Sequence, residues 1–171
     1  MNELIMKLLG GSLILAAGWL AGRKMADGAE ARLAELAELR VALSALKSNV
    51  EFGRKDLPDA LMAAAAAGGG EASTIFASAA RGIRDRNGTA EEIWRGSVAG
   101  SNLQGGDKTA LSAFAGALGR PDAGFLAEAI DSAIAYVAGE EERAVPVARR
   151  DAKMYRSVGV LLGALVCVLL I

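Results

Sequence analysis

The stretch from Gly100 to Thr109 reads Gly-Ser-Asn-Leu-Gln-Gly-Gly-Asp-Lys-Thr, the nearest this chain comes to a phosphate-binding loop. In such a loop the lysine follows the second glycine directly, so that backbone amides and ammonium converge on one phosphate. Here Asp107 stands between Gly106 and Lys108, its carboxylate repels phosphate, and no buried-strand pattern precedes it. Nucleotide binding is not expected. Gly68-Gly69-Gly70 has no lysine after it and reads as a turn and helix stop. Glu140, Glu141 and Glu142 are consecutive, and three successive helix residues do not share a face, so they read as a solvated acidic run and not as a metal site. Arg81, Arg84 and Arg86 form a small basic cluster inside an acidic region, which argues against a nucleic-acid surface.

Composition removes most remaining chemistry. The 171 residues include no histidine and one cysteine. That excludes a Ser-His-Asp or Cys-His arrangement, an imidazole zinc site and an intramolecular disulfide. Aromatics make up 5% of the chain, too few to build base-stacking platforms. Cys167 lies in an apolar tail and reads as an inert small hydrophobe. No catalytic, cofactor-binding or metal-binding set is assigned, and the expectation is a protein that is not an enzyme.

The elements that remain are helices. Residues 4–22 carry no charge apart from Lys7 and are apolar apart from Lys7 and Ser12, and at about 1.5 Å per residue they reach roughly 28 Å. Residues 158–171 contain no polar side chain; begun at Met154, with Tyr155 and Arg156 at the headgroup level, the segment has 18 residues. Both are expected to be transmembrane helices, 4–22 and 154–171, in contact with the lipid bilayer. A cleaved signal peptide is the alternative for the first segment, and a buried core helix for the second. Arg23 and Lys24 follow the first segment, and Arg149, Arg150, Lys153 and Arg156 flank the second, so both basic collars face the middle of the chain and assign it to the cytoplasm. The expected location is the cell membrane, as a multi-pass protein. Gly18 with Gly22, and Gly159 with Gly163, are small-xxx-small pairs that let helix backbones approach closely in lipid. Pairing of these helices within one chain, or between chains in a homo-oligomer, is the resulting hypothesis.

Between the collars, residues 25–148 are expected to form a six-helix all-α bundle. Leu36, Leu39, Leu43, Leu46 and Val50 fall at spacings of 3, 4, 3 and 4, one apolar seam on a helix from about Ala29 to Phe52. Gly53 stops it, Asp56 caps a second helix with Leu57 and Pro58 in its first turn, and that helix runs to Ala67. A third covers Ala72 to Arg86 and ends at Asn87-Gly88. Thr89 with Glu92 is a capping-box signature for a fourth, whose Trp94 reads as core. Asp107 caps a fifth that carries Leu111, Phe114 and Leu118 and closes at Gly119. Asp122 caps a sixth with Phe125, Leu126, Ile130, Ile134 and Val137 on its apolar face, running through Glu140–Glu142 to a kink at Pro146.

In order and spacing, several of these residues resemble the stage III sporulation protein AB family of endospore-forming bacteria. They are Lys7-Leu8-Leu9-Gly10, the Leu36–Leu46 helix, Glu51-Phe52-Gly53-Arg54 with Leu57-Pro58, Trp94, Leu118-Gly119-Arg120-Pro121-Asp122, and Lys153-Met154-Tyr155-Arg156-Ser157-Val158-Gly159. The chain departs from the family pattern at Leu126, where glutamine is usual, and at Pro146. The resemblance implies membership of a channel complex between mother cell and forespore, similar to secretion systems, and a cytoplasmic domain similar to that of the type II secretion platform protein. It further implies channel-complex membrane proteins and a cytoplasmic secretion-type ATPase, similar to stage III sporulation protein AA, as partners. Gly53, Leu57, Pro58, Trp94, Gly119, Asp122, Tyr155 and Arg156 match family-motif positions and are assigned to the fold. Two other classes stay open: a small structural membrane protein of another assembly without an ATPase partner, and a membrane enzyme using carboxylates alone.

The formal charge of −1 has a structure of its own. Residues 25–148 carry 12 basic and 18 acidic side chains, a net −6, while the collars are positive. The collars set the direction of threading, and an acidic body favours a protein partner over nucleic acid or lipid.

Overall fold

The leucine seam forms the helix its spacing demands. Residues 30–51 are α1, in which Leu36, Leu39, Leu43 and Leu46 are completely buried while Glu35, Glu38, Arg40 and Lys47 keep partial access to water. Val50, at the end of the seam, is only half-buried. This computed structural model describes residues 28, 30–52, 56–120, 122 and 124–145. The expected spans 4–22 and 154–171 lie outside the described residues, as do the basic collars, Gly18, Gly22, Gly53, Pro146, Tyr155, Arg156, Gly159 and Gly163. No helix among the described residues is long and apolar enough to cross a membrane. Ala34–Glu142 make one compact unit, and the helical residues 28, 30–33 and 143–145 belong to the other.

Every regular element among the described residues is helical. After α1 come α2 (Leu57–Ala67), α3 (Gly70–Arg84), α4 (Ala90–Ala99) and α5 (Gly105–Ala113), then a 3₁₀ turn (Ala115–Ala117) and α6 (residues 124–145). The expected count of six α-helices holds, and several boundaries move.

The hairpin between α2 and α3 turns on glycines pressed against α1. A Cβ at Gly68 would come within 2.9 Å of the Ala42 Cβ and 3.3 Å of the Glu38 carbonyl oxygen. Gly70 opens α3 at φ +46, a conformation costly for any residue with a Cβ. The glycine run therefore supplies the start of α3, two residues before the expected Ala72. Across the hairpin, Arg84 in the last turn of α3 donates to Asp59 in the first turn of α2 at 2.7 Å. Each charge sits at the helix end whose dipole favours it.

The far end of α3 departs from expectation more informatively. The Asn87 N–H donates to the Gly82 carbonyl and the Arg86 N–H to the Ile83 carbonyl, the paired bonds of a Schellman motif. The left-handed position is Arg86, at φ 54, one place before the Asn87-Gly88 that the sequence suggests.

Capping decides the remaining starts. Thr89 and Glu92 form the full capping box of α4: the Glu92 N–H donates to Thr89 Oγ1 at 3.3 Å, and the Thr89 N–H to Glu92 Oε2 at 3.0 Å. Asp122 Oδ1 accepts from the N–H groups of Gly124 and Phe125 at 3.0 and 3.3 Å, fixing the start of α6. Asp56 holds the cap position of α2 but makes no side-chain cap bond; its carbonyl instead accepts from Asp59 and Ala60. Asp107 is not the cap of α5. That position belongs to Gln104, and Asp107 lies in the first turn, fully buried, where the helix dipole favours a negative charge. Nor does α5 run to Gly119: it ends at Ala113, and the tighter 3₁₀ turn carries Phe114 and Leu118 into the core.

Trp94 is the centre of that core. Its ring meets Phe76 of α3 edge-on at 5.1 Å between centroids and Phe114 at 4.9 Å. The indole Nε1–H donates to the Leu111 carbonyl at 2.7 Å. Leu111 belongs to the last turn of α5, whose carbonyls have no donor within their own helix, so the tryptophan satisfies a group that the helix end leaves open. On the other side of the unit α1 and α6 run antiparallel. Arg40 donates to Glu141 at 2.9 Å and Lys47 to Asp131 at 2.6 Å, so that α6 descends as α1 ascends.

Candidate functional site

Several charged side chains of the 34–142 unit hold helices together. Glu141, part of the acidic run expected to be solvated, is the partner of Arg40 on α1. Lys47 bridges Asp131 and, at 3.7 Å, Glu51. The hydrogen bond to Asp131 raises its ammonium above the usual lysine value, the charges of Asp131 and Glu51 adding to this and partial desolvation opposing it. Glu92 is held below the usual carboxylate range, first by the Thr89 backbone N–H and then by the Thr89 hydroxyl. Glu71, in the first turn of α3, accepts the Asn102 N–H at 2.7 Å and ties down the loop before α5. The basic cluster on α3 does not act as a unit, because Arg84 is spent on Asp59 and Arg81 donates to the Ala77 carbonyl.

The motif positions divide by role. Leu57 and Pro58 are the first two residues of α2, both half-buried. Trp94 is wholly buried. Gly119 is exposed and has no positive φ, so its place in the turn does not depend on a left-handed backbone. Phe125, expected on the apolar face of α6, is 44% exposed; the Arg120 guanidinium lies over its ring at 4.7 Å, so a cation covers part of it. Phe52, at the end of α1, is 84% exposed.

One groove brings together residues that the sequence did not connect. It lies between α4 and α5, about 480 Å³ in volume, lined by Arg95, Val98, Ala99, Lys108, Thr109, Ser112 and Ala113. Its two cations come from different helices, and no carboxylate lines it. Lys108 donates to the Ala99 carbonyl at 3.0 Å, at the electronegative end of α4. Arg95 is bound along its own helix to Glu91 at 2.9 Å. Lys108 and Thr109, which fail as a phosphate loop, lie inside α5, and Thr109 donates to the Gly105 carbonyl one turn back. The available sign was the helical register itself: 95, 98 and 99 share a face of α4, and 108, 109, 112 and 113 share one of α5. Which faces meet was not written in either segment. Among the described residues no group of three or more His, Cys, Asp or Glu is placed to hold a metal ion.

Comparison with known proteins now bears on the whole chain. A family model described as stage III sporulation protein AB matches residues 7–171. A solved structure of stage III sporulation protein AB is similar at TM-score 0.58 and 21% identity, covering 66% of this chain and 92% of that one, which shows a shared fold. A search of curated proteins finds no significant match. With the family model spanning all but the first six residues, the chain belongs to the stage III sporulation protein AB family.

Proposed function

We propose that this protein is a non-enzymatic membrane platform of the sporulation channel complex between mother cell and forespore, anchoring a cytoplasmic secretion-type ATPase at the membrane. The observation that carries this reading is the family match, which runs through both apolar ends and the helical unit between them. The unit itself supports it. Among the described residues its polar side chains cap helices and tie them to one another, as in a structural part. The collars then hold an acidic helical body at the cytoplasmic face, and both termini lie across the membrane.

The test is co-purification from sporulating cells. Affinity-tagged full chain, extracted in detergent after mild cross-linking, is expected to bring down a secretion-type ATPase together with channel-complex membrane proteins. Recovery of the membrane proteins without an ATPase would leave a purely structural component and refute the anchoring role. Topology is read separately, with a membrane-impermeant maleimide on cysteines placed at Asn2 and Ala138. Labelling of the first from outside and protection of the second are expected; the reverse pattern would overturn the assigned orientation.

A further inference from the structure

The geometry points to the groove between α4 and α5 as the docking site for an acidic, partly apolar segment of a protein partner. Its walls carry Arg95 and Lys108, its lining includes Val98, Ala99 and Ala113, and no carboxylate faces into it. Lys108 is positioned by a carbonyl, not a carboxylate. It takes no part in the ion pairs made by Arg40, Lys47, Arg84 and Arg95. An ammonium has three donors, so the bond to Ala99 leaves two for a ligand. Arg95 is bound to Glu91 through Nε and Nη2, which leaves the other guanidinium donors available.

Charge selects the occupant. The unit is strongly acidic, with 10 basic and 16 acidic side chains from residue 34 to 142. Its other interhelical cations, Arg40, Lys47 and Arg84, are each spent on a carboxylate of the neighbouring helix. A cationic groove in such a body attracts carboxylates locally, while the surrounding negative charge disfavours extended polyanions such as nucleic acid or an anionic membrane. The apolar lining adds a place for a hydrophobic side chain beside the acidic one. A short segment with Asp or Glu next to an apolar residue matches both. The site deepens the platform reading, on which the identification of the partner as a protein rests, and the groove and the ATPase can fail independently.

The experiment places a photoactivatable benzoylphenylalanine at Ser112 in the full chain, with Ser78 on the exposed face of α3 as control, and irradiates sporulating cells. Mass spectrometry of the cross-linked peptide is expected to find a protein segment carrying acidic residues beside apolar ones. Lys108→Glu and Arg95→Glu are each expected to cut capture at Ser112 by about tenfold or more, without changing capture at Ser78. Reversal of the captured acidic residues to lysine should restore capture by Lys108→Glu. Lys108→Gln, which removes the charge without reversing it, guards against misfolding: its thermal melt should match wild type while capture still falls. Cross-links from Ser112 to lipid, to a second copy of this chain or to a segment without acidic residues would overturn the proposal. So would capture indifferent to both reversals, or no capture at Ser112. If the captured protein fits chemically but is not an ATPase, the groove stands and the anchoring role falls. If an ATPase co-purifies with both reversed variants and cross-links elsewhere, the groove falls and the anchoring role stands.

Discussion

Replacing Trp94 with phenylalanine tests how α4 is fastened to α5. The substitution keeps an aromatic ring between Phe76 and Phe114 but deletes the Nε1–H that donates to the Leu111 carbonyl at 2.7 Å. That carbonyl is in the last turn of α5, where no helix donor replaces the indole. A buried acceptor left without its donor costs about 1–3 kcal/mol. The lost second ring vacates core volume and adds about 1 kcal/mol more. For a helical unit of this size the sum lowers Tm by about 8–15 °C. Circular dichroism at 222 nm on the full chain in detergent measures it. Phe76→Leu is the comparison, since it removes a ring contact with the same tryptophan but no hydrogen bond. If Trp94→Phe costs no more than Phe76→Leu, the indole–carbonyl bond does not hold the two helices together and the reasoning fails.

Three further outcomes follow from local geometry. Arg86→Gly relieves a left-handed backbone at an exposed position; after the greater unfolded-state freedom of glycine, a net gain of about 0.5–1 kcal/mol is expected in the same melt, and no gain would place the strain elsewhere. Gly68→Ala drives a Cβ to 2.9 Å from Ala42, and the displacement of α1 is expected to cost about 1–3 kcal/mol; an unchanged melt would mean the hairpin can back away freely. Thr89→Ala removes the α4 cap hydroxyl for about 1 kcal/mol. The folded state depresses the Glu92 carboxyl, so its contribution is present above the ordinary glutamate value, about 4.3, and is lost as pH falls through the depressed one. In Thr89→Ala a side-chain NMR titration should move Glu92 part of the way back, because the Thr89 N–H, the larger cause, remains. A titration identical to wild type would remove the hydroxyl from the account.

The elements most legible in the sequence are those whose cause is local. The leucine seam of α1 fixes both the helix and its buried face, and Leu36 to Leu46 are buried without exception at the seam positions. The Thr89–Glu92 box and the Asp122 cap need only residues within one turn, and both form. The clearest error falls where a distant element decides. The start of α3 moves into the glycine run because α1 crowds that turn, with Ala42 and Glu38 against Gly68 and Gly69. The cap of α5 passes from Asp107 to Gln104, and the aspartate is buried in the first turn instead. Phe125 stays partly exposed beneath a cation on the preceding turn. The groove of Arg95 and Lys108 was invisible for the same reason: each cation is an ordinary exposed-face residue until α4 and α5 are laid side by side.

What the sequence determined by itself is the helical class, the six helices among the described residues, the absence of histidine and cysteine-pair chemistry, and the division of a near-neutral chain into an acidic body between basic collars. These depend on composition, 3.6-residue periodicity and caps, all of which act within a few residues along the chain. Tertiary structure decided which charges are spent and which are left to act. Arg40, Lys47 and Arg84 look no different in sequence from Lys108, yet packing gives each of the first three a carboxylate on a neighbouring helix and gives Lys108 only a carbonyl. Ion pairing depends on distances of a few ångströms between segments far apart in the chain, and no local pattern encodes those distances.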